Sequence, residues 1–180
     1  MKNLINCLLC LILLFGVSCS KKTNEEMIIG EWKLLKTELQ DKSIASQKVM
    51  NQINDMQKVI FQKDIRFRFY TDKKYRQYYS GKESNSEDKM EFKIVDKTFE
   101  LNPSGTIIDF DLYNRDGSLY RGTNKPGPYE IIKITEDELI LKDLRLRYKI
   151  IRQGENMTNK LKKLIIQEEN ILNIYQRIVE

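Results

Sequence analysis

The sequence predicts a mainly β domain, an antiparallel up-and-down barrel of about eight to ten strands, with one helix after the first strand and an amphipathic C-terminal helix. Three observations carry this. Short runs alternate apolar with polar residues, as in Ile65-Arg66-Phe67-Arg68-Phe69, which is the period of a half-buried strand. The runs are separated by hairpin-length turns rich in Asp, Asn, Gly and Lys, so chain neighbours pair with one another. Only two stretches show the period of an amphipathic helix.

Ile28 to Leu39 opens the fold as a strand, with Trp32 and Leu34 on one face. Asp41-Lys42-Ser43 is a turn that contains a helix cap. Val49, Ile53, Met56 and Ile60 then recur at helical spacing and predict a helix of about four turns. Ile65, Phe67 and Phe69 return the chain to strand, with Arg66 and Arg68 on the other face. Tyr75 to Tyr79 follows a turn at Thr71 to Lys74, and Ser80 to Asp88 is a polar loop. Met90 to Val95, a tight turn at Asp96-Lys97, and Thr98 to Leu101 read as a hairpin. Ile108, Phe110 and Leu112 alternate with Asp109, Asp111 and Tyr113, and Asp116-Gly117 is a hairpin turn. Lys125-Pro126-Gly127-Pro128 is a loop. Tyr129 to Ile134 and Leu139 to Leu141 are strands around the turn Thr135 to Asp137. Leu144, Leu146, Tyr148 and Ile150 alternate with Arg145, Arg147 and Lys149 and predict a last half-buried strand. From Gly154 the period is helical, with Leu161, Leu164, Ile165, Leu172, Tyr175 and Ile178 as its stripe. That helix either packs on the barrel wall or serves a partner or a dimer.

The N-terminus belongs to a different class of segment. Lys2 precedes an apolar run ending at Leu11-Ile12-Leu13-Leu14-Phe15, followed by Gly16-Val17-Ser18-Cys19. A basic start, a short apolar core and small residues describe an export signal. The alternative is an anchor that stays uncleaved. Residues 1–18 are read as the signal, 19–27 as a polar tether, 28–152 as the barrel domain and 153–180 as the C-terminal helix. Removing the signal leaves 162 of the 180 residues and, with Lys2 gone, lowers the formal charge from +5 to +4. Cys7 and Cys10 leave with it.

Gly16-Val17-Ser18-Cys19 resembles the lipobox of bacterial lipoproteins, with Gly16 where that family prefers Leu. The resemblance implies that Cys19 becomes the first residue and carries a thioether-linked diacylglycerol, often with an N-acyl chain such as palmitate. It implies export and a lipid anchor, and Ser20 in place of Asp implies the outer membrane. Gly30-Glu31-Trp32 after the tether resembles the first-strand motif of lipocalins, and the chain as a whole is similar to the lipocalin-like domains of bacterial lipoproteins. That resemblance implies that Trp32 closes the narrow end of the barrel beneath an arginine on or after the last strand. Arg152 is the residue offered for that role, with Gly30 and Trp32 completing the structural motif.

The chemistry is limited by composition. The chain has no His, which excludes His-based acid–base and nucleophilic catalysis and imidazole metal sites. Once Cys19 is acylated no thiol remains. Asp109-x-Asp111 reads as a solvated pair and Asn114-x-Asp116-Gly117 as a turn. No catalytic residue, metal or cofactor is expected, and the chain is not expected to be an enzyme. The basic, aromatic stretch Arg66 to Tyr79 reads as an ordinary two-faced strand pair, or as a surface for anionic headgroups or an acidic partner. Nucleic acid is not an expected partner of an exported chain. Two functions remain. One is a barrel that holds a small apolar or amphipathic ligand, lined by Phe67, Phe69, Phe110, Leu146 and Tyr148. The other is a ligandless envelope protein, of inhibitor or immunity type, that binds another protein through its loops or C-terminal helix.

Overall fold

The computed structural model describes residues 22–44, 46–83, 89–97, 105–113, 128–146 and 158–179. Cys19, Tyr148 and Arg152 lie outside them, as does the Asp116-Gly117 turn. The described chain runs α1 (Asn24–Ile28), β1 (Gly30–Leu39), a 3-10 turn (Lys42–Ile44), α2 (Gln47–Gln62), β2 (Ile65–Phe69), β3 (Tyr75–Tyr79), β4 (Lys82–Glu83), β5 (Lys89–Lys97), β6 (Gly105–Tyr113), β7 (Tyr129–Ile134), β8 (Glu138–Asp143), α3 (Asn159–Glu169) and β9 (Ile171–Ile178). The fold is mainly β, as the alternation predicts. All its strand pairs are antiparallel.

One nine-stranded sheet has the order β4-β3-β2-β1-β9-β8-β7-β6-β5. Chain neighbours pair throughout except across β4 and β5, and the last strand lies beside the first. The sheet curls so far that its two ends approach. Lys74 bridges Glu91, and the Phe92 amide donates to the Lys73 carbonyl at 2.8 Å. The result is a curled, barrel-like sheet with a seam between β3 and β5.

The concave side is the core, and alternation places residues there. Ile65, Phe67 and Phe69 of β2 are buried, while Arg66 and Arg68 between them are half-exposed. In β1 a bulge between Leu34 and Lys36 resets the alternation. Trp32 and Leu34 are buried before it and Thr37 after it, while Leu35 is turned out. A bulge adds one residue to one strand and so flips the facing of the residues beyond it. α2 begins at Ser46, whose hydroxyl accepts from the Val49 amide, as an N-cap does. It packs Val59 and Ile60 against the core, and Gln57 Nε2 donates to the Thr37 carbonyl at 2.5 Å.

Four expectations are corrected. The segment 19–27 is not all tether, because Thr23 and Glu26 form a reciprocal capping box that starts α1 within it. Asp96 and Lys97 do not turn but extend β5, opposite Thr106 and Gly105. The expected strand from Leu144 does not start there. Arg145 and Leu146 have helical backbone, and the Asp143 carboxylate accepts the Arg145 amide at 2.9 Å, which turns the chain as a cap does. Finally, the C-terminal helix stops at Glu169, and Ile171–Ile178 is a central strand between β1 and β8. Asn170 marks the switch. Its buried side chain accepts from the Asp41 amide at 2.7 Å and donates to the Asp41 carbonyl at 2.6 Å.

Candidate functional site

Two groups of side chains stand out, one in the interior and one at the end where β1 begins. In the interior, Phe67 is the hub. Its ring lies 5.4 Å from that of Tyr75, 6.3 Å from Tyr129 and 5.0 Å from Tyr175. Phe69 stacks edge-on with Phe92 at 5.0 Å and lies 5.1 Å from Tyr75. These spacings are those of directly packed aromatic pairs. Every ring in the group is at most 7% exposed, so these rings pack together among the described residues of the interior.

Of the residues expected to line a ligand site, Phe67 and Phe69 are brought together here. Leu146 is half-buried just after β8. Phe110 is in β6, paired with Phe92; its side chain, like Tyr148, lies outside the described set. Tyr75, Tyr129 and Tyr175 join the cluster without a signal in the sequence. Tyr75 and Tyr129 each begin a strand, where the alternation is shortest, and Tyr175 sits in a segment with a helical stripe.

Burial pushes the Tyr75 and Tyr175 phenols well above the ordinary tyrosine value, and Tyr129 adds to both shifts. A phenol that holds its proton more tightly when folded stabilises the fold below its unfolded value, near 10. That contribution is lost as pH rises past it, because only the unfolded chain then ionises. Stability should therefore fall above roughly pH 10, by up to about 1.4 kcal/mol per pH unit for each tyrosine. In urea titrations from pH 8 to 11, Tyr75→Phe and Tyr175→Phe should each flatten this decline. An unchanged slope in both would place the alkaline loss elsewhere.

The second group is built on Trp32, which is fully buried. Its indole Nε1 donates to the Ile28 carbonyl at 2.8 Å. The Arg177 guanidinium of β9 stands 4.2 Å from the centre of the indole ring, within cation–π range. Arg177 Nη1 donates to the Ile29 carbonyl at 2.5 Å, Nη2 to Met27 and Nε to Glu136. Burial lowers the Arg177 pKa, opposed by Glu136 and Asp137. Gly30 has φ +132°, and a Cβ there would overlap Arg177 Nη1. Gly-x-Trp therefore has a local physical reason. The glycine admits the guanidinium and adopts a backbone that side chains disfavour, and the tryptophan receives the cation on its face. The arginine over Trp32 comes from the last strand, and it is Arg177. Arg152, offered for that role by the sequence, lies outside the described residues.

The basic stretch of β2 and β3 is largely neutralised. Arg66 bonds Glu31 at 2.9 Å and Asp64 at 2.5 Å, and Arg68 reaches Glu31 at 3.5 Å. Arg66 holds the Asp64 carboxyl below its ordinary value, chiefly by hydrogen bonding. Lys73 pairs with Glu25 at 2.5 Å and Lys74 with Asp72 at 2.6 Å. Asp109 stands opposite Lys93 in the β5–β6 register. Among the described residues no group of three or more His, Cys, Asp or Glu is placed to hold a metal ion, and no helix is long and apolar enough to cross a membrane. A mixed polar and apolar cleft of about 360 Å³ lies by the start of α1, lined by Thr23, Asn24, Glu25, Ile94 and Thr106. It does not include the Phe67 cluster.

No protein-family model matches the chain, and neither a curated protein nor a solved structure does.

Proposed function

We propose that the chain is an exported bacterial lipoprotein, anchored through Cys19 to the outer membrane, whose lipocalin-like domain acts through its surface on another envelope protein, as an inhibitor or immunity-type factor. The observation that favours this reading over a ligand carrier is the packed aromatic cluster among the described residues. At Phe67 and Phe69, where a ligand would sit, the rings of Tyr75, Tyr129 and Tyr175 pack on Phe67, those of Tyr75 and Phe92 pack on Phe69, and all are nearly inaccessible. A small-molecule site needs an accessible cavity of hundreds of Å³. The lipocalin-like reading draws support from the meander order, the adjacency of first and last strands, and the Gly30, Trp32 and Arg177 arrangement.

Native mass spectrometry of the protein extracted from its own membrane tests the function. The expected result is an acylated chain, free or with a bound protein, and with no small-molecule adduct. A stoichiometric apolar adduct would overturn the surface-acting reading in favour of a ligand carrier. Cys19→Ala should move the chain from the membrane fraction to the soluble one, since acyl chains contribute about 0.8 kcal/mol per buried CH2. A Cys19→Ala chain that stays wholly with the membrane refutes the anchor.

A further inference from the structure

The strand registers sort the domain into two unlike ends. Gly30 pairs with Phe69, Glu31 with Ile178, Glu138 with Gln176 and Ile134 with Leu139, so these residues share one end. Leu39 pairs with Ile171, Ile65 with Tyr79 and Tyr129 with Asp143, so these share the other. The first end is closed by α1 and Trp32, its strands are joined at 70–74 and 135–137, and the connection from Lys97 to Gly105 also leaves from it. The second end carries α2 and α3, and the connections after Glu83, Tyr113 and Asp143 leave from it.

The chain enters at the closed end and is pinned there. Lys22 Nζ meets Glu136 Oε1 at 2.7 Å, Lys73 meets Glu25 at 2.5 Å, and Arg177 donates to the carbonyls of Met27 and Ile29. Only Ser20 and Lys21 separate Cys19 from Lys22. Three residue steps reach at most about 10 Å. An acylated Cys19 thus holds this end within about 10 Å of the headgroups. β1 has 10 residues, and at about 3.3 Å per residue it sets the ends roughly 30 Å apart.

We infer that the α1 end is a membrane-facing surface, held against the phospholipid headgroups, and that the α2–α3 end points away from the bilayer. This rests on the Cys19 anchor. Charge is balanced at this end: Lys22, Lys73 and Lys74 are each paired with a carboxylate, Glu26 lies in α1 and Asp137 stands beside Arg177. The face brings little net charge to an anionic bilayer, so the short tether and not electrostatic attraction sets the orientation.

The acylated, signal-free protein has no other cysteine, so one introduced thiol is a unique label site. Thr71→Cys marks the α1 end and Lys42→Cys the far end, both at exposed positions. Each is labelled with a fluorophore and reconstituted into phosphatidylethanolamine–phosphatidylglycerol vesicles carrying a headgroup nitroxide. Quenching should be at least several-fold stronger at position 71 than at 42. Asp137→Cys and Gln47→Cys repeat the comparison should either first variant fold poorly. Equal quenching at both ends, or stronger quenching at 42 and 47, overturns the orientation while leaving the anchor standing. Vesicle flotation separates the two: an acylation-competent chain that does not float overturns the anchor and the orientation together.

Discussion

A chain lacking residues 171–180 should fail to form the sheet at all. β9 pairs along its length with β1 on one side and with β8 on the other. Without it, β1 to β4 and β5 to β8 become two separate antiparallel pieces, each with a bare central edge. What still links their backbones among the described strands is the seam between β3 and β5, with the Lys74–Glu91 bridge and the Phe92 amide donating to the Lys73 carbonyl. The deletion also removes Leu172, Ile174 and Tyr175, all buried. At about 1.5–3 kcal/mol for each large apolar side chain, that is most of the stability of an ordinary domain. The measurement is far-UV circular dichroism with urea unfolding of the signal-free chain. Full-length protein should unfold cooperatively and the 171–180 deletion should show no transition. Deleting only Val179 and Glu180 should leave the midpoint nearly unchanged, since Val179 is 81% exposed. A cooperative transition in the longer deletion would mean that the segment is an accessory to the wall and not its centre.

That contrast marks where sequence and structure part. β2 is legible because Ile65, Phe67 and Phe69 alternate without interruption and face one core. α2 is legible because a single helical stripe, Val49 to Ile60, has no competing period. β9 is ambiguous on its own terms. Leu172, Tyr175 and Ile178 are spaced as on a helix, and they continue the stripe of α3. The β-branched Ile171, Ile174 and Ile178 favour a strand, and only the edges waiting on β1 and β8 decide between the two. Asn170 gives a local hint, because a short amide ends helices, but its partner is Asp41, far away in the chain. In the same way Arg145 alternates with leucines, yet Asp143 captures its amide and guanidinium and turns the chain.

The candidate site was legible as a motif and not as a constellation. Gly30 and Trp32 stand in the sequence, but the cation's carbonyl acceptors are at Met27, Ile29 and Glu136. Backbone carbonyls leave no trace in residue type. The same holds for the tyrosines around Phe67, which come from β3, β7 and β9. Their meeting is a property of the curl of the sheet.

Replacing Arg177 by Ala should cost more than any other single surface-reaching substitution. The guanidinium satisfies three carbonyls and covers the indole face. The Met27 and Ile29 carbonyls are part-buried and the Glu136 carbonyl is exposed, so the first two carry most of the cost of a lost donor, about 1–3 kcal/mol each, and the lost cation–π contact adds about 0.5–2 kcal/mol. Some acceptors regain water, so a total loss of roughly 3–5 kcal/mol is expected in urea unfolding. Arg177→Lys should recover little of it, because a single ammonium cannot reproduce the planar fork that reaches three carbonyls. Trp32→Ala should lose a similar amount, about 3–5 kcal/mol, by emptying a fully buried site. The double variant should cost less than the two added, by about 1–2 kcal/mol, because each single change already breaks their contact. Lys58→Ala, in an exposed pair with Asp55, should leave the midpoint where it is. Strict additivity of Arg177→Ala and Trp32→Ala would show that the two residues stabilise the closed end independently, and the clamp would then be three hydrogen bonds without the ring.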